Sequence, residues 1–390
     1  MKKDTRLVSA GRSHKYTDKR VNPPVARAST IVFDSLADKS HSEKHKYNNV
    51  ENYGRTGTDT TFAFKEALCE LEGAADCYVF PCGTAAITSS LLGFLNNGDH
   101  LLMVDSVYQP TRWFCDETLV RLGVEVEYYD PMIGAGIADL LRSNTAVIFM
   151  ESPGSLTMEV QDIPAIVSTA RQNSIVTMID NTYASPLNLK PLDLGVDISI
   201  HSATKYLNGH SDIMLGVASA NENTAAQLIR RSHNLGQCAS PDDIYTTLRG
   251  IRTLSVRMRQ QSTSALQIAQ WITDHSMVDQ VRHPALQSCP GHEYYARDYK
   301  GHNGLFSFIL KAGKGDALAA MVDHMTLFKI GYSWGGYESL ILPTTDFTRL
   351  RTATQWQAQG PLVRLSIGLE DVQDLIDDLN AGLIRYEQAL

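Results

Sequence analysis

The sequence predicts an α/β protein built on a mostly parallel β-sheet, followed by a second, smaller unit of mixed helices and strands. Between residues 61 and 250, short apolar runs alternate with helix-like segments, which is the pattern of buried strands joined by helices. After residue 250, one long helical pattern precedes strand-like segments and a closing helix. The chain has 390 residues, and single cores stop growing near ~250–300 residues, so we expect more than one domain.

Composition places the chain among ordinary globular proteins and narrows its partners. Hydrophobic residues make up 43% and charged residues 20%, and the net charge is −8. An acidic chain without a long basic run is not typical of nucleic-acid binders. The sequence has no run of ~18 apolar residues that would span a membrane, and its start lacks the apolar block of a secretory signal. We therefore expect a cytoplasmic protein that binds neither nucleic acid nor membranes.

The cysteines predict neither a disulfide framework nor a metal site. They are scattered, without a CxxC pair and without the Cys/His spacing of a zinc finger. In a cytoplasmic protein such thiols are expected to be reduced and mostly buried. The six residues are Cys69, Cys77, Cys82, Cys115, Cys238 and Cys289.

Residues 1–60 predict an N-terminal arm. The segment is polar, is interrupted by the proline pair at 23–24, and includes the hydrophilic stretch 40–52. Its apolar residues show little periodicity, so it cannot build a core of its own. We expect the arm to pack against another surface.

Residues 61–250 predict the larger domain. Residues 61–73 have helical spacing and end at Gly73, and further helices are predicted over 84–95, 111–122 and 164–172. Between them lie short apolar runs of strand length. These runs are 77–80, 101–104, 146–150, 175–179 and 198–200.

Residues 251–390 predict a smaller domain. A helical pattern covers 254–275, strand-like segments follow at 305–310 and 362–367, and a closing helix is predicted over 370–386. The closing helix has one apolar face and begins with two acids, Glu370 and Asp371, which suit the positive end of a helix.

Polar residues follow the apolar runs where a doubly wound sheet binds its ligands, at the carboxyl ends of the strands. The first run leads into Gly83 and Thr84 at a helix start, where free backbone amides can hold an anion. Other runs end at 105–108 and 151–153, and Asp180 directly follows the run 175–179. Each residue has an ordinary alternative role, such as a turn or a cap.

Lys205 follows the last of these runs, in a context of small residues with the hydroxyls of Ser202 and Thr204 close by. Partial burial lowers the pKa of an amine and makes it a usable nucleophile or base, although a single lysine is more often a solvated surface residue. The combination of this amine, Asp180 and an anion-ready helix start predicts a site for a pyridine ring that carries a phosphate and an aldehyde.

Three motifs resemble the Cys/Met-metabolism family of pyridoxal 5′-phosphate (PLP) enzymes. They are 180–182 (Asp-Asn-Thr), 202–207 (Ser-Ala-Thr-Lys-Tyr-Leu) with Gly209 and His210, and 53–55 (Tyr-Gly-Arg). The likeness runs from residue 22 to residue 364. It implies the aspartate-aminotransferase-like fold (fold type I), with a mostly parallel seven-stranded sheet in the large domain and a smaller α+β C-terminal domain.

The resemblance also implies roles around the cofactor. Lys205 would carry PLP as a Schiff base and move protons, Asp180 would pair with the ring nitrogen, and Tyr108 would stack on the ring. Lys205, Tyr108 and Tyr53 are the candidate catalytic residues. The phosphate would be held by Gly83, Thr84, Ser202, Thr204, Tyr53 and Arg55.

By the same resemblance, Tyr53 and Arg55 would reach the site of a neighbouring subunit, which implies a homo-oligomer, commonly a dimer of dimers. Arg364 would grip the α-carboxylate of an amino-acid substrate with help from Ser333. Tyr332 and Trp334 would shape the pocket for the rest of the substrate.

Residues 332–340 and 53–55 are similar to those of family members that cleave at Cβ. This implies β-elimination of L-cystathionine to homocysteine, pyruvate and ammonia in methionine biosynthesis, with side activity on cysteine or cystine. Alternatives within the family are cystathionine γ-lyase, cystathionine γ-synthase and methionine γ-lyase. A PLP-binding regulatory protein without turnover is the alternative from another class.

Overall fold

The computed structural model describes residues 1–311, 313, 315–344 and 351–390. Within them, the larger of two sheets has seven strands in the spatial order β1-β7-β6-β5-β4-β2-β3. Its strands are β1 (Asp76–Phe80), β2 (His100–Val104), β3 (Glu125–Tyr129), β4 (Thr145–Glu151), β5 (Val176–Asp180), β6 (Ile198–Ser202) and β7 (Gly216–Ala220).

The larger sheet is mostly parallel. Strands β3, β2, β4, β5 and β6 pair in parallel, and β7 pairs antiparallel with both β6 and β1. Helices cover both faces, so every residue of β2 is buried and the strand reads as a continuous apolar run. The predicted fold class is confirmed.

The smaller sheet has five strands in the order β10-β11-β12-β9-β8. β10 and β11 pair in parallel, and the remaining neighbours are antiparallel. Its apolar face packs against the C-terminal part of the long central helix and against the last two helices to form a hydrophobic core. Its strands are β8 (Val278–Arg282), β9 (Leu305–Leu310), β10 (Lys329–Ile330), β11 (Leu340–Thr344) and β12 (Leu362–Ser366).

The helices of the described residues are α1 (Lys3–Ser9), α2 (His14–Thr17), α3 (Leu36–His45), α4 (Asp59–Glu72), α5 (Gly83–Phe94), α6 (Gln109–Trp113), α7 (Ile163–Gln172), α8 (Ser185–Asn188), α9 (Ala225–Asn234), α10 (Pro241–Thr273), α11 (His292–Asp298), α12 (Gly315–Val322) and α13 (Val372–Gln388). Short 3-10 turns occupy Gly54–Thr56, Gly134–Leu140 and Pro191–Leu194, and a π-helical turn, Phe114–Leu119, follows α6. None of the helices in these ranges is both long enough and apolar enough to cross a membrane.

Helix α10 begins earlier than the pattern at 254–275 predicts. Ser240 caps it by accepting a hydrogen bond from the Asp242 amide at 3.2 Å, and Pro241 occupies the first turn, where its missing N–H costs nothing. The helix passes through residue 250 without interruption, so the expected division between 61–250 and 251–390 falls inside a rigid element.

The first part of the N-terminal arm packs on its own chain. Leu7 and Tyr16 are buried in a cluster with Phe62 and Phe64 of α4. In contrast, Val32 and Leu36 are 85% and 86% exposed. The later part of the arm therefore leaves these two apolar side chains available to another surface.

Candidate cofactor and substrate site

The carboxyl ends of β2, β4, β5 and β6 meet at one edge of the larger sheet. Glu151 at the end of β4 is the register partner of Asp180 at the end of β5, and Asp180 is the partner of Ile200 in β6. Lys205 lies just beyond β6. Parallel pairing thus brings together residues that lie far apart in the sequence, as the strand-end argument predicts.

The start of α5 forms an anion cradle. The Cys82 sulfur accepts a hydrogen bond from the Ala85 amide at 3.4 Å, while the first amides of the helix have no intrahelical acceptor. A Cβ atom at Gly83 would lie 2.6 Å from Cβ of Ser202, so only glycine lets the helix start approach β6 this closely. Backbone amides and the Ser202 hydroxyl therefore converge where the helix dipole favours negative charge.

Thr204, also expected to hold the phosphate, is hydrogen-bonded to its own loop. Its hydroxyl donates to the Leu215 carbonyl at 3.2 Å and accepts from the Leu215 amide at 2.9 Å. The single hydroxyl proton is therefore already donated to the chain. In this arrangement Thr204 fixes the loop that carries Lys205.

Lys205 is a partly buried amine with an altered pKa. Burial and the nearby charge of Arg364 lower the pKa of Lys205 to about 8, and the carboxylate of Asp180 opposes this shift. Its Nζ donates to the Ser333 hydroxyl and lies 5.5 Å from the centre of the Trp334 ring. A substantial fraction of this amine is neutral near physiological pH, as a nucleophile or base requires.

Asp180 is a buried carboxyl held by its own turn. The Thr182 amide donates to Asp180 Oδ1 at 2.9 Å, and the Thr182 hydroxyl donates to the same oxygen. Burial raises the pKa of Asp180, whereas these bonds and the charges of His201 and Lys205 lower it. A cationic ring nitrogen is the kind of partner that would stabilise the ionised form.

Glu151 belongs to the same cluster and was not among the predicted site residues. Its Oε2 accepts the Tyr108 amide at 2.7 Å. Burial, together with the negative charge of Asp180, raises the pKa of Glu151 well above its usual value, so the neutral acid is favoured. The sequence carried the signal that identified Asp180, an acid directly after an apolar run, but did not show that the two strands are neighbours.

Arg364 is 8% exposed in the centre of β12. One of its terminal nitrogens donates to the Ser333 carbonyl at 2.9 Å, while the buried Nε has no hydrogen-bond partner among the described residues. Burial lowers the pKa of Arg364 to about 10, which leaves it cationic at neutral pH. A buried guanidinium with an unused donor suits a carboxylate ligand.

A cavity of about 330 Å³ contains the predicted substrate side of the site. Tyr108, Tyr332, Trp334 and Arg364 line it. Tyr332 is 88% exposed at the mouth, whereas Trp334 packs on Tyr206 with ring centres 5.4 Å apart. The volume falls in the range of small-ligand pockets.

Tyr53 and Arg55 do not join this cluster within one chain. Arg55 donates to the His233 carbonyl at 3.0 Å and lines a different cavity, together with Lys46 and Tyr78. Tyr53 is half exposed, and its hydroxyl lies 3.5 Å from the Ser29 hydroxyl.

The clustered residues fit a phosphate-bearing pyridine aldehyde. The cradle at Gly83 suits a phosphate, the Lys205 amine suits an aldehyde, and the Asp180 carboxyl suits a ring nitrogen. The chain belongs to the family of Cys/Met metabolism PLP-dependent enzymes, because the model of that family matches residues 4–384. It is therefore a PLP-dependent enzyme.

The chain is also similar over nearly its full length to individual enzymes of this family. The chain is 48% identical over 389 residues to a cystathionine β-lyase of Escherichia coli K12, with 98% of each chain covered. It is 46% identical over 386 residues to a cystathionine β-lyase of Haemophilus influenzae, again with 98% of each covered. Among solved structures, cystathionine γ-synthase from Xanthomonas oryzae has a TM-score of 0.90 at 34% identity, and all of both chains is covered.

Proposed function

We propose that this protein cleaves L-cystathionine at the Cβ–S bond and releases homocysteine, pyruvate and ammonia. The observation that carries the proposal is the Lys205 amine, with its lowered pKa, held next to Ser333, Asp180 and Arg364. The full-length likeness to cystathionine β-lyases supports this substrate and a place in methionine biosynthesis. Side activity on cysteine or cystine would follow, because the same bond is broken.

Each residue of the cluster has a task in this reaction. Arg364 and Ser333 hold the substrate α-carboxylate, and the Lys205 amine removes the Cα proton. Bound PLP supplies the electron sink for the charge released at Cα. The Cβ–S bond then breaks with its electron pair on sulfur, and water converts the remaining three-carbon fragment to pyruvate and ammonia.

Asp180, the Gly83 cradle and Tyr108 hold the cofactor in this proposal. Asp180 takes the ring nitrogen, the amides of Gly83 and Thr84 with the Ser202 hydroxyl take the phosphate, and Tyr108 lies against the ring. Thr204, through its bonds to Leu215, keeps the loop of Lys205 in place.

The site is completed by a second copy of the chain. Tyr53 and Arg55 lie in the arm, away from their own Lys205, and exposed Val32 and Leu36 give the arm an apolar contact surface. We also propose that the protein is a cytoplasmic homo-oligomer, built as a dimer of dimers.

Cleavage at the γ-carbon is the competing function, since the Xanthomonas γ-synthase has the same fold. Tyr332 and Trp334 favour the β-reaction, because γ-acting members of the family typically carry Glu and Leu at these positions. Lys205, Asp180 and Arg364 would serve both reactions and do not discriminate.

Product identification tests the proposal. Holoenzyme given L-cystathionine should release homocysteine and pyruvate, and Lys205→Ala should release neither at more than a small fraction of the wild-type rate. Cysteine and 2-oxobutyrate as products would assign the protein to the γ-acting members. Bound PLP without turnover of any amino acid would support a regulatory protein instead.

A further inference from the structure

The turn between α4 and β1 brings two cysteines and an acid together. Helix α4 ends at Gly73, whose positive φ of 75° turns the chain back so that β1 packs against the helix. Cys69 lies near the end of α4, and Asp76 and Cys77 begin β1. The two sulfur atoms and a carboxylate oxygen of Asp76 lie within 4.8 Å of one another. The spacing of the cysteines along the chain does not reveal this cluster, because the two lie in different elements.

The two thiols of the cluster interact with each other. Cys77 is fully buried, whereas Cys69 is partly exposed, so solvent reaches the pair from the Cys69 side. A hydrogen bond with the Cys69 thiol, together with burial, raises the pKa of Cys77 well above its usual value, and the charge of Lys65 opposes this shift. The Cys77 thiol therefore keeps its proton at neutral pH until a metal ion displaces it, because a thiol that coordinates a metal is deprotonated.

The Asp76 carboxylate keeps one oxygen for a ligand. Its Oδ1 accepts the Cys77 amide at 2.7 Å and lies 2.9 Å from Nζ of Lys65. Lys65 is itself held in place, since it donates to the Asn49 side chain at 2.9 Å. Within the part of the chain that the structure describes, Oδ2 of Asp76 accepts no hydrogen bond, so its lone pairs remain available to an ion.

Two thiolates and a carboxylate are a ligand set for Zn²⁺, whereas Mg²⁺ and Ca²⁺ prefer oxygen ligands alone. Tetrahedral Zn²⁺, with bonds of about 2.3 Å to sulfur and about 2.0 Å to oxygen, holds its ligand atoms about 3.5–3.8 Å apart. Ligand atoms within 4.8 Å of one another need only small side-chain rotations to reach that geometry.

The charges of the cluster also balance around such an ion. The two thiolates would neutralise Zn²⁺, and Lys65 already neutralises Asp76. No charge would then be left without a partner in this half-buried position, where an unpaired charge is costly.

We propose that Cys69, Asp76 and Cys77 bind one Zn²⁺ ion in each chain, with water as the fourth ligand. The ion joins the end of α4 to the start of β1 and stabilises the turn at Gly73. All three ligands belong to one chain, so the site needs no second copy. None of them lines the cavity with Arg364, and the site is separate from the proposed lyase reaction.

Titration of metal-free holoenzyme with Cd²⁺, which takes the same ligands, tests the site. Bound Cd²⁺ should give an ultraviolet sulfur-to-metal charge-transfer band that saturates at one ion per chain. Zn²⁺ should raise the Tm of the holoenzyme, because it binds the folded chain. Cys69→Ser should weaken Zn²⁺ binding, measured by competition with a chelator, by about 100-fold or more, since even residues behind metal ligands are worth about 10- to 100-fold.

A second ligand variant and two controls complete the test. Asp76→Asn keeps both thiols and should weaken Zn²⁺ binding by about tenfold or more. Cys238→Ser removes an exposed thiol outside the cluster and should bind both ions like wild type. His41→Ala removes one of two histidines on α3 whose ring centres lie 4.5 Å apart, a pair that could also hold Zn²⁺. It should leave the charge-transfer band unchanged, because imidazole gives no such band.

The outcomes are distinct. Binding of one ion per chain by wild type and Cys238→Ser, with the expected loss in Cys69→Ser, would support the site. Absence of the charge-transfer band in wild type, or a Zn²⁺ affinity unchanged in Cys69→Ser, would overturn it. Far-UV circular dichroism and the PLP absorbance band check that each variant is folded, and Asp76→Asn decides if Cys69→Ser is not.

Discussion

Glu151 shows how strongly the chemistry of one residue depends on its neighbours. It is an acid beside another acid, with its Oε2 on the Tyr108 amide at 2.7 Å. Burial and the charge of Asp180 raise the pKa of Glu151 and favour the neutral form. Burial also raises the pKa of Asp180, so a cationic partner would be needed to stabilise its ionised form beside a neutral Glu151.

Substitution of Glu151 distinguishes a positioning role from a charged one. Glu151→Gln keeps an oxygen acceptor for the Tyr108 amide, so PLP affinity, measured by absorbance titration of apoprotein, should stay within about twofold of wild type. Glu151→Ala removes the acceptor, releases the Tyr108 turn and should weaken PLP binding by about tenfold.

The stability of the Gln variant provides a second measurement. Folding raises the pKa of the Glu151 carboxyl. The free energy of unfolding therefore falls as pH rises from the unfolded-state pKa towards the folded-state pKa, and at pH 7 the wild type has lost this stability. Apo Glu151→Gln should therefore be at least as stable as apo wild type at pH 7 in urea unfolding. A Gln variant as impaired as the Ala variant would show that the ionised carboxylate is needed.

At the scale of elements, Asp105 connects the end of β2 in the larger sheet with the segment that precedes β12 in the smaller sheet. It lies at the end of β2 and binds Arg112 of α6 at 2.7 Å. The same carboxylate accepts the amides of Thr352, Ala353 and Thr354 at 2.9, 3.1 and 2.9 Å, from a segment that leads to β12. The buried Asp105 carboxylate thus fixes residues 352–354 beside the substrate cavity, which Asp105 lines.

Removal of this charge should be costly and pH-dependent. Burial would raise the pKa of Asp105, but the hydrogen bonds from Thr352, Thr354 and Arg112 outweigh it and hold the pKa below its usual value. Asp105→Asn leaves Arg112 buried without its counter-charge and should lower the free energy of unfolding by about 3–5 kcal/mol at pH 7.

The pH dependence has a definite sign. A depressed folded-state pKa stabilises the protein above the unfolded pKa of about 3.9, and this stabilisation is lost as pH falls through the folded pKa. The difference between wild type and Asp105→Asn in urea unfolding should therefore shrink below about pH 4. The exposed Asp139→Asn is the control and should stay within about 0.5 kcal/mol of wild type. A difference that is constant with pH would contradict the role of the charge.

At the scale of the whole molecule, the arm separates two residues from the site that they would serve. Arg55 donates to the His233 carbonyl at 3.0 Å in its own chain, while Lys205 donates to Ser333 and has its pKa lowered by burial and by the charge of Arg364. If the arm of one copy completes the site of another, neither residue needs to act within a single chain.

Hybrid oligomers test this directly. Arg55→Ala and Lys205→Ala should each have little activity, but a mixture refolded or co-expressed together should regain roughly a quarter of wild-type activity. In a mixed dimer, one site has an intact Lys205 from one copy and an intact Arg55 from the other. A mixture no more active than the separate variants would place Arg55 in its own chain's site or outside any site.

Much of the fold and the cluster follows from local pattern. Buried runs such as 101–104 are apolar because both faces of the sheet are covered. Asp180 and Lys205 can be recognised because they are charged residues that follow such runs, at the sheet edge where ligands bind. The strands β3 and β7 were not located by pattern. β3 is an edge strand with alternating acids, and β7 consists of small residues, so neither has the apolar signal of its neighbours.

By itself, the sequence determined the α/β class, the strand ends where chemistry occurs, and the lysine that can carry PLP, because each depends on residues close together along the chain. Only the tertiary structure decided that Glu151 sits beside Asp180, that the Thr204 proton is already used, and that Leu342 lies against Arg364. These are contacts between strands and loops that depend on strand register and packing, so they cannot be deduced from the spacing of residues along the chain.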